Sequence, residues 1–169
     1  VEKGGTAFIS AQNFYGIFAD TLSISTYDIL FNPKVNVDLG DSIRINFTNT
    51  RINQKETYAY HYKNIHTYFD GFDSTRTSIV AVNEHQLPVT IRMKWGEGFL
   101  FLNSTPLAFT NFYILTGDNA GFVETSLSHL VNQPLTQTEF YHLGRMEAST
   151  PLRFILANEP LRWAYYLTI

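Results

Sequence analysis

An α/β fold with a mixed sheet follows from three features of this 169-residue chain. First, Gly4-Gly5 opens a short apolar strand, Thr6 to Ala11, which breaks into Gln12 and Asn13. "FYGIFADTL" follows at helical spacing, and together they make a β-α unit. Second, Phe99 to Leu102 is apolar throughout, as in a strand covered on both faces. Third, "SIRINF" sets Ile43, Ile45 and Phe47 against polar neighbours, the alternation of a half-buried strand.

The remaining elements fall between these. The helix after the first strand is expected to bury Phe14, Ile17, Phe18 and Leu22. Gly40-Asp41 marks a turn before "SIRINF", and the Tyr-rich "ETYAYHYKNIHTYF" reads as strand, closed by "FDGFD". "TSIVAVNE", residues 77 to 84, is a second short buried strand. "LPVTIRMKWGEGFLFLNS" reads as two strands joined at Gly96-Glu97-Gly98, the first wet on the face of Thr90, Arg92 and Lys94. A helix over "GDNAGFVETSLSHLV" has Asp118 or Asn119 as cap and Ala120, Val123, Leu127 and Leu130 as its apolar stripe. Gln133-Pro134 ends it, "LTQTEFYHLGR" is a candidate strand, and Thr150-Pro151 starts a helix broken at Asn158 and Pro160. We read one domain. Residues 1–23 and 77–131 are its α/β core, 24–76 a β-rich insertion and 132–169 a helical extension.

Composition narrows the functions open to it. Hydrophobic residues make 44% and charged residues only 16%, so the chain is globular and part of its surface is expected to face a partner or a membrane. The net charge is −3 and the 12 basic residues are scattered, which leaves no footprint for nucleic acid. Cysteine is absent, which excludes disulfides, thiolate metal sites and a cysteine nucleophile. No run of about 18 apolar residues occurs to span a bilayer. The chain opens at Val1 rather than Met and is read as a piece of a longer protein. Its tail "LRWAYYLTI", with Trp163, Tyr165 and Tyr166, suits either a membrane-interface belt or a packed amphipathic helix.

Catalytic patterns are sparse. Ser10 and Ser104 lie near strand ends without the flanking glycines of a nucleophile elbow. Of five histidines, His61 and His66 would point to opposite faces of one strand, and the adjacent Glu84-His85 is poorly spaced for one metal. No cofactor and no metal are expected. Asp70 and Asp73 read as turn formers in a loop. "WGEGF" is a hairpin turn rather than a dinucleotide fingerprint, and Asn46 and Asn103 fit the Asn-x-Ser/Thr rule. Polar residues leave three buried strands: Gln12 and Asn13, Glu84 and His85, and Asn103 and Ser104. In open α/β sheets such exits gather ligands in one crevice, although strand ends are also polar simply because loops meet water. With Asn111, these residues form the candidate binding site.

The stretch "LPVTIRMKWGEGFLFLNSTPLAFTNFYIL" with the following "DNAGFV" helix resembles the C-terminal part of glutamine-amidotransferase-like domains. "GGTAFISA", "FTN" and "STPLRFIL" are similar to a family of membrane-attached bacterial proteins common in Bacteroidetes and typically encoded near MoxR-type ATPases. That resemblance implies a partial flavodoxin-like core on a membrane protein, anchored outside this chain and facing the periplasm. The absent cysteine departs from the amidotransferase pattern and implies a degenerate scaffold. The expected function is therefore non-catalytic binding of a ligand or of another protein of the same membrane system. Two alternatives stand beside it: a hydrolase using Glu84, His85 or a loop Asp, and an interaction module pairing through the aromatic segment 57–72.

Overall fold

A computed structural model describes residues 1–32, 42–49, 57–61, 65–130, 136 and 165–166. The chain divides into two compact units, Val1–Gln133 and Pro134–Ile169. In the second unit Tyr165 and Tyr166 are helical, with ring centroids 6.1 Å apart. The expected turn at Gly40-Asp41, the strand in "LTQTEFYHLGR", the helix start at Thr150-Pro151 and its break at Asn158 and Pro160 lie outside the described residues. So do His142 and Trp163.

Among the described residues the first unit carries eight strands: β1 (Thr6–Ser10), β2 (Ser25–Asp28), β3 (Ser42–Phe47), β4 (Tyr58–His61), β5 (Thr67–Gly71), β6 (Thr77–Asn83), β7 (Pro88–Trp95) and β8 (Gly98–Asn103). Its helices are α1 (Gly16–Leu22), α2 (Asn111–Ile114) and α3 (Ala120–Ser128). Six strands form one sheet in the order β1-β8-β7-β6-β3-β4, and β2 pairs with β5 separately. Only β1 and β8 run parallel; every other described pair is antiparallel. The mixed α/β class thus holds, with a mainly antiparallel sheet and short helices. The β-rich segment is shared out: β3 and β4 extend the main sheet, while β2 and β5 stand apart from it.

Alternation along β8 builds two cores. Phe101 points to one face, with Ile43, Ile45, Phe47, Tyr58 and Tyr60, under Ala108, Tyr113 and Phe122. Leu100 and Leu102 point to the other, with Ile91 and Met93, under Ala19, Leu22 and Phe69. Each buried Ile, Leu, Met or Phe among them contributes about 1.5–3 kcal/mol by leaving water. The β7–β8 hairpin closes where expected, Trp95 opposite Gly98, with Gly96 at φ +59°. A side chain at Gly96 would sit 2.5 Å from the Glu2 carbonyl oxygen, so both space and backbone demand glycine.

Several expectations are corrected. Of the predicted α1 stripe Phe14 and Leu22 are buried, but Ile17 is 85% exposed and Phe18 is exposed too, with Ala19 buried in their place. In α3 the buried face is Phe122, Thr125 and Ser126, one position off the Ala120, Val123, Leu127 stripe. Phe122 outranks those residues because it fills the space among Phe47, Tyr58 and Tyr60. Asn119 occupies the α3 cap position but makes no side-chain cap; its amide donates to the Ala59 carbonyl 3.0 Å away and ties α3 to β4. Thr90 is buried rather than wet. β1 is an edge strand and only half-buried along its length, although Phe8 packs on one core and Ala7 and Ile9 on the other. β6 is buried only from Val80 onward. Phe99 is partly exposed at the start of β8, with the Arg92 guanidinium 5.0 Å over its ring.

Candidate functional site

The topology does bring the three polar strand exits to one sheet edge. β1 runs parallel to β8, and β6 shares their direction because both β6 and β8 oppose β7. All three therefore end where β7 begins. What the exits do there is mostly structural.

Asn103 is fully buried at the centre. Its Oδ1 accepts hydrogen bonds from Ser10 Oγ (2.8 Å), the Thr105 amide (2.8 Å) and Thr105 Oγ1 (3.1 Å). Its Nδ2 donates to Thr90 Oγ1 at 2.8 Å, which explains why Thr90 is inside. Ser104, also buried, donates from Oγ to the Thr67 carbonyl at 2.7 Å and so holds the start of β5. Asn83 turns the chain from β6 to β7 by accepting from the His85 and Leu87 amides, each at 3.0 Å. These side chains satisfy backbone groups that a sheet edge would otherwise leave unpaired.

The other predicted residues stay at the surface. Glu84 and His85 stand on the β6–β7 turn, with Oε1 and Nε2 3.8 Å apart and both side chains partly exposed. Gln12 and Asn13 are exposed after β1, and Asn111 is exposed at the start of α2. Among the described residues, no hydrogen bond links Glu84 or His85 to Gln12, Asn103 or Ser104. Ser10 and Ser104 each donate to an oxygen acceptor, and neither meets an imidazole there.

One pairing escaped the sequence. The Gln12 amide nitrogen lies 3.3 Å from His66 Nε2, and His66 Nδ1 lies 2.9 Å from Asp28 Oδ2, off the line of a good hydrogen bond. Asp28 Oδ1 meanwhile accepts from the Leu30 amide at 2.9 Å and caps a short 3-10 turn, Ile29–Phe31. The three side chains lie together, and among the described residues no nucleophile is hydrogen-bonded to the imidazole. His66 and Asp28 lie in different strand–loop junctions, so no spacing rule connects them. His61 and His66 also do not share a strand, since β4 ends at His61 and β5 begins at Thr67.

The aspartates are structural as well. Asp70 lies in β5, not in a loop, and accepts from Ser25 Oγ at 2.7 Å. Asp73 accepts from the Thr75 hydroxyl (2.6 Å) and amide (2.9 Å) and faces Arg76 Nε at 3.1 Å. The two Thr75 hydrogen bonds, then the Arg76 charge, hold its carboxyl below the usual range.

Two grooves lie away from the predicted polar site. A groove of about 530 Å³ is lined by Ile17, Phe18, Leu22, Trp95 and Leu100 beside the first residues of the chain. A second, of about 590 Å³, lies over Tyr27, Tyr68, Asp70, Phe72 and Leu87. Neither is lined by a residue of the predicted polar site. Among the described residues, no three His, Cys, Asp or Glu side chains could hold a metal ion, and no helix is long and apolar enough to cross a membrane.

No family model matches the chain, and no curated protein matches it. Among solved structures it is similar to the crystal structure of beta-galactosidase from Bacillus circulans sp. alkalophilus, at 12% identity and a TM-score of 0.44. The similarity covers 76% of this chain but 19% of the beta-galactosidase chain, and it carries no inference about activity.

Proposed function

We propose that the chain is a non-catalytic binding domain of a membrane-anchored bacterial protein, facing the periplasm and engaging another protein of the same membrane system. The core is then a degenerate, cysteine-free relative of the flavodoxin-like, glutamine-amidotransferase-like architecture. The sequence resemblance supports its setting. One observation carries the binding itself: large apolar side chains stand in water on the helices that leave the strand-end edge. Tyr15 and Ile17 beside and within α1 are 73% and 85% exposed, and Phe112 and Leu115 at α2 are 69% and 84% exposed. Asn103 and Ser104 are meanwhile spent internally, whereas Gln12, Asn13, Glu84, His85 and Asn111 stay at the surface, and the exposed apolar residues of α1 and α2 add apolar contact to theirs.

The hydrolase alternative draws less support. Glu84 and His85 share a surface turn, and Asp73 is engaged by its neighbours. The aromatic-segment alternative is weakened because Tyr58, Tyr60, Tyr68 and Phe69 are all buried within the domain.

The test is replacement of Ile17 and Leu115 by Ser in the membrane-anchored protein, followed by crosslinking in native membranes. We expect loss of a specific crosslinked band with an unchanged melting temperature. Gln12→Ala with Asn111→Ala tests the polar edge in parallel. An undiminished band in the Ile17→Ser, Leu115→Ser variant overturns the apolar surface.

A further inference from the structure

β1 ends the sheet, and among the described residues nothing pairs with its outer side. The Phe99 amide donates to the Gly5 carbonyl at 3.1 Å and the Ala11 amide donates to the Asn103 carbonyl at 3.0 Å. Alternate residues of a strand bond to one neighbour, so Gly5, Ala7, Ile9 and Ala11 face β8. Thr6, Phe8 and Ser10 therefore direct N–H and C=O outward. Among the described residues, no hydrogen bond takes these groups. The preceding residues do not cover them either. Gly4 turns back to Val1 (3.0 Å), and the Glu97 amide donates to the Glu2 carbonyl at 3.2 Å, which holds the first residues over the β7–β8 turn.

Edge strands usually carry a charge, a proline or a bulge that discourages pairing. "TAFIS" carries neither a charge nor a proline, and its register with β8 is unbroken. Its side chains are half-buried on both faces. Phe8 packs at 5.3 Å on Phe109, while Ala7 and Ile9 lie against the opposite core. The strand is thus finished on one side only.

We propose that this edge pairs with the same edge of a second copy of the chain, antiparallel about a two-fold axis at Phe8. The outward groups are spaced evenly around Phe8, and that spacing makes the edge self-complementary. A two-fold rotation normal to the sheet sets Phe8 opposite Phe8 and Thr6 opposite Ser10 of the second copy. Every outward N–H then meets an outward C=O. The two Phe8 rings lie side by side on one face, and Ala7 faces Ile9 of the second copy on the other. Two six-stranded sheets become one. This goes beyond the binding proposed above and uses a different surface, so either can fail without the other.

The test is sedimentation velocity of the 169-residue chain from micromolar to millimolar concentration, with residue-resolved amide exchange on the same samples. We expect a concentration-dependent dimer. Thr6, Phe8 and Ser10 amides gain protection as it forms, whereas Ala7, Ile9 and Ala11 are protected at every concentration. Thr6→Pro removes a donor that the monomer does not use, at a first strand position where proline is tolerated. Losing that bond twice by symmetry raises the dimer dissociation constant about tenfold or more. A monomer at all concentrations overturns the proposal. So does a dimer in which Thr6, Phe8 and Ser10 exchange at a constant rate, or a folded Thr6→Pro variant that dimerises equally well. Should Thr6→Pro not fold, exchange on the unmodified chain decides.

Discussion

Asn103 shows how much one side chain can hold. It reads in the sequence as a loop asparagine at a strand exit, yet it joins β1, β7 and the chain after β8 through Ser10, Thr90 and Thr105. Removing its amide strands several buried groups at once. Asn103→Ala is therefore expected to cost about 2–4 kcal/mol in urea unfolding, and exposed Asn111→Ala no more than about 0.5 kcal/mol. His129 supplies a pH dependence. Its ring stacks on Phe101 at 5.2 Å, and burial, then the Arg92 charge, lowers its pKa from the ordinary 6.5. Below pH 6.5 the unfolded chain takes a proton that the fold resists. Stability is thus full above that value and falls as pH drops toward the lowered pKa, levelling below it. The melting temperature should show that slope as pH falls below the ordinary 6.5, and His129→Gln should remove it.

At the level of the element, periodicity locates helices better than it orients them. The stretch after β1 contains apolar residues on two sides, and Phe14, Ile17, Phe18 and Leu22 is one consistent stripe through it. The fold keeps its two ends, Phe14 and Leu22, adds Ala19, and leaves Ile17 and Phe18 exposed. Arg76 donates to the Leu22 carbonyl at 3.0 Å and ties the end of α1 to the sheet side, leaving Ile17 outside. Ile17→Ser should leave the urea midpoint within the error of a surface change, while Leu22→Ala should cost about 2–4 kcal/mol. α3 makes the same point with Phe122, whose size claims the core although its neighbours at the predicted positions are apolar too. Strands fare better. The alternation in "SIRINF" and the glycine turn at Gly96 are local properties, and both appear in place.

For the whole molecule, one sheet serves two cores, and that should make the first unit unfold as one. Phe122 and Phe69 lie in separate clusters on opposite faces. Phe122→Ala and Phe69→Ala should each cost about 3–5 kcal/mol, and each should lower a single common transition seen by far-UV circular dichroism and by tryptophan fluorescence alike. Two separate transitions would show that the faces fold independently. The candidate site was legible only as a place. Three polar exits meet at one edge as their strand character implies, but the spending of Asn103 and Ser104 on Ser10, Thr90 and Thr67 depends on residues distant in sequence. The Gln12, His66 and Asp28 array was not legible at all, because its members share no element.

The amino-acid order alone settles the strands β1, β3, β6, β7 and β8, the hairpin turn, the mixed α/β class and the absence of thiol chemistry, but not β2 or the division of the Tyr-rich stretch into β4 and β5. Each feature so settled is written in spacing or composition within a few residues. Only the tertiary structure decides which helix face turns inward, that β1 stands at an edge, and that buried hydroxyls and amides consume Asn103 and Ser104. Those outcomes belong to whatever lies across the contact, and a hydrogen bond or a packed ring is chosen by both of its sides.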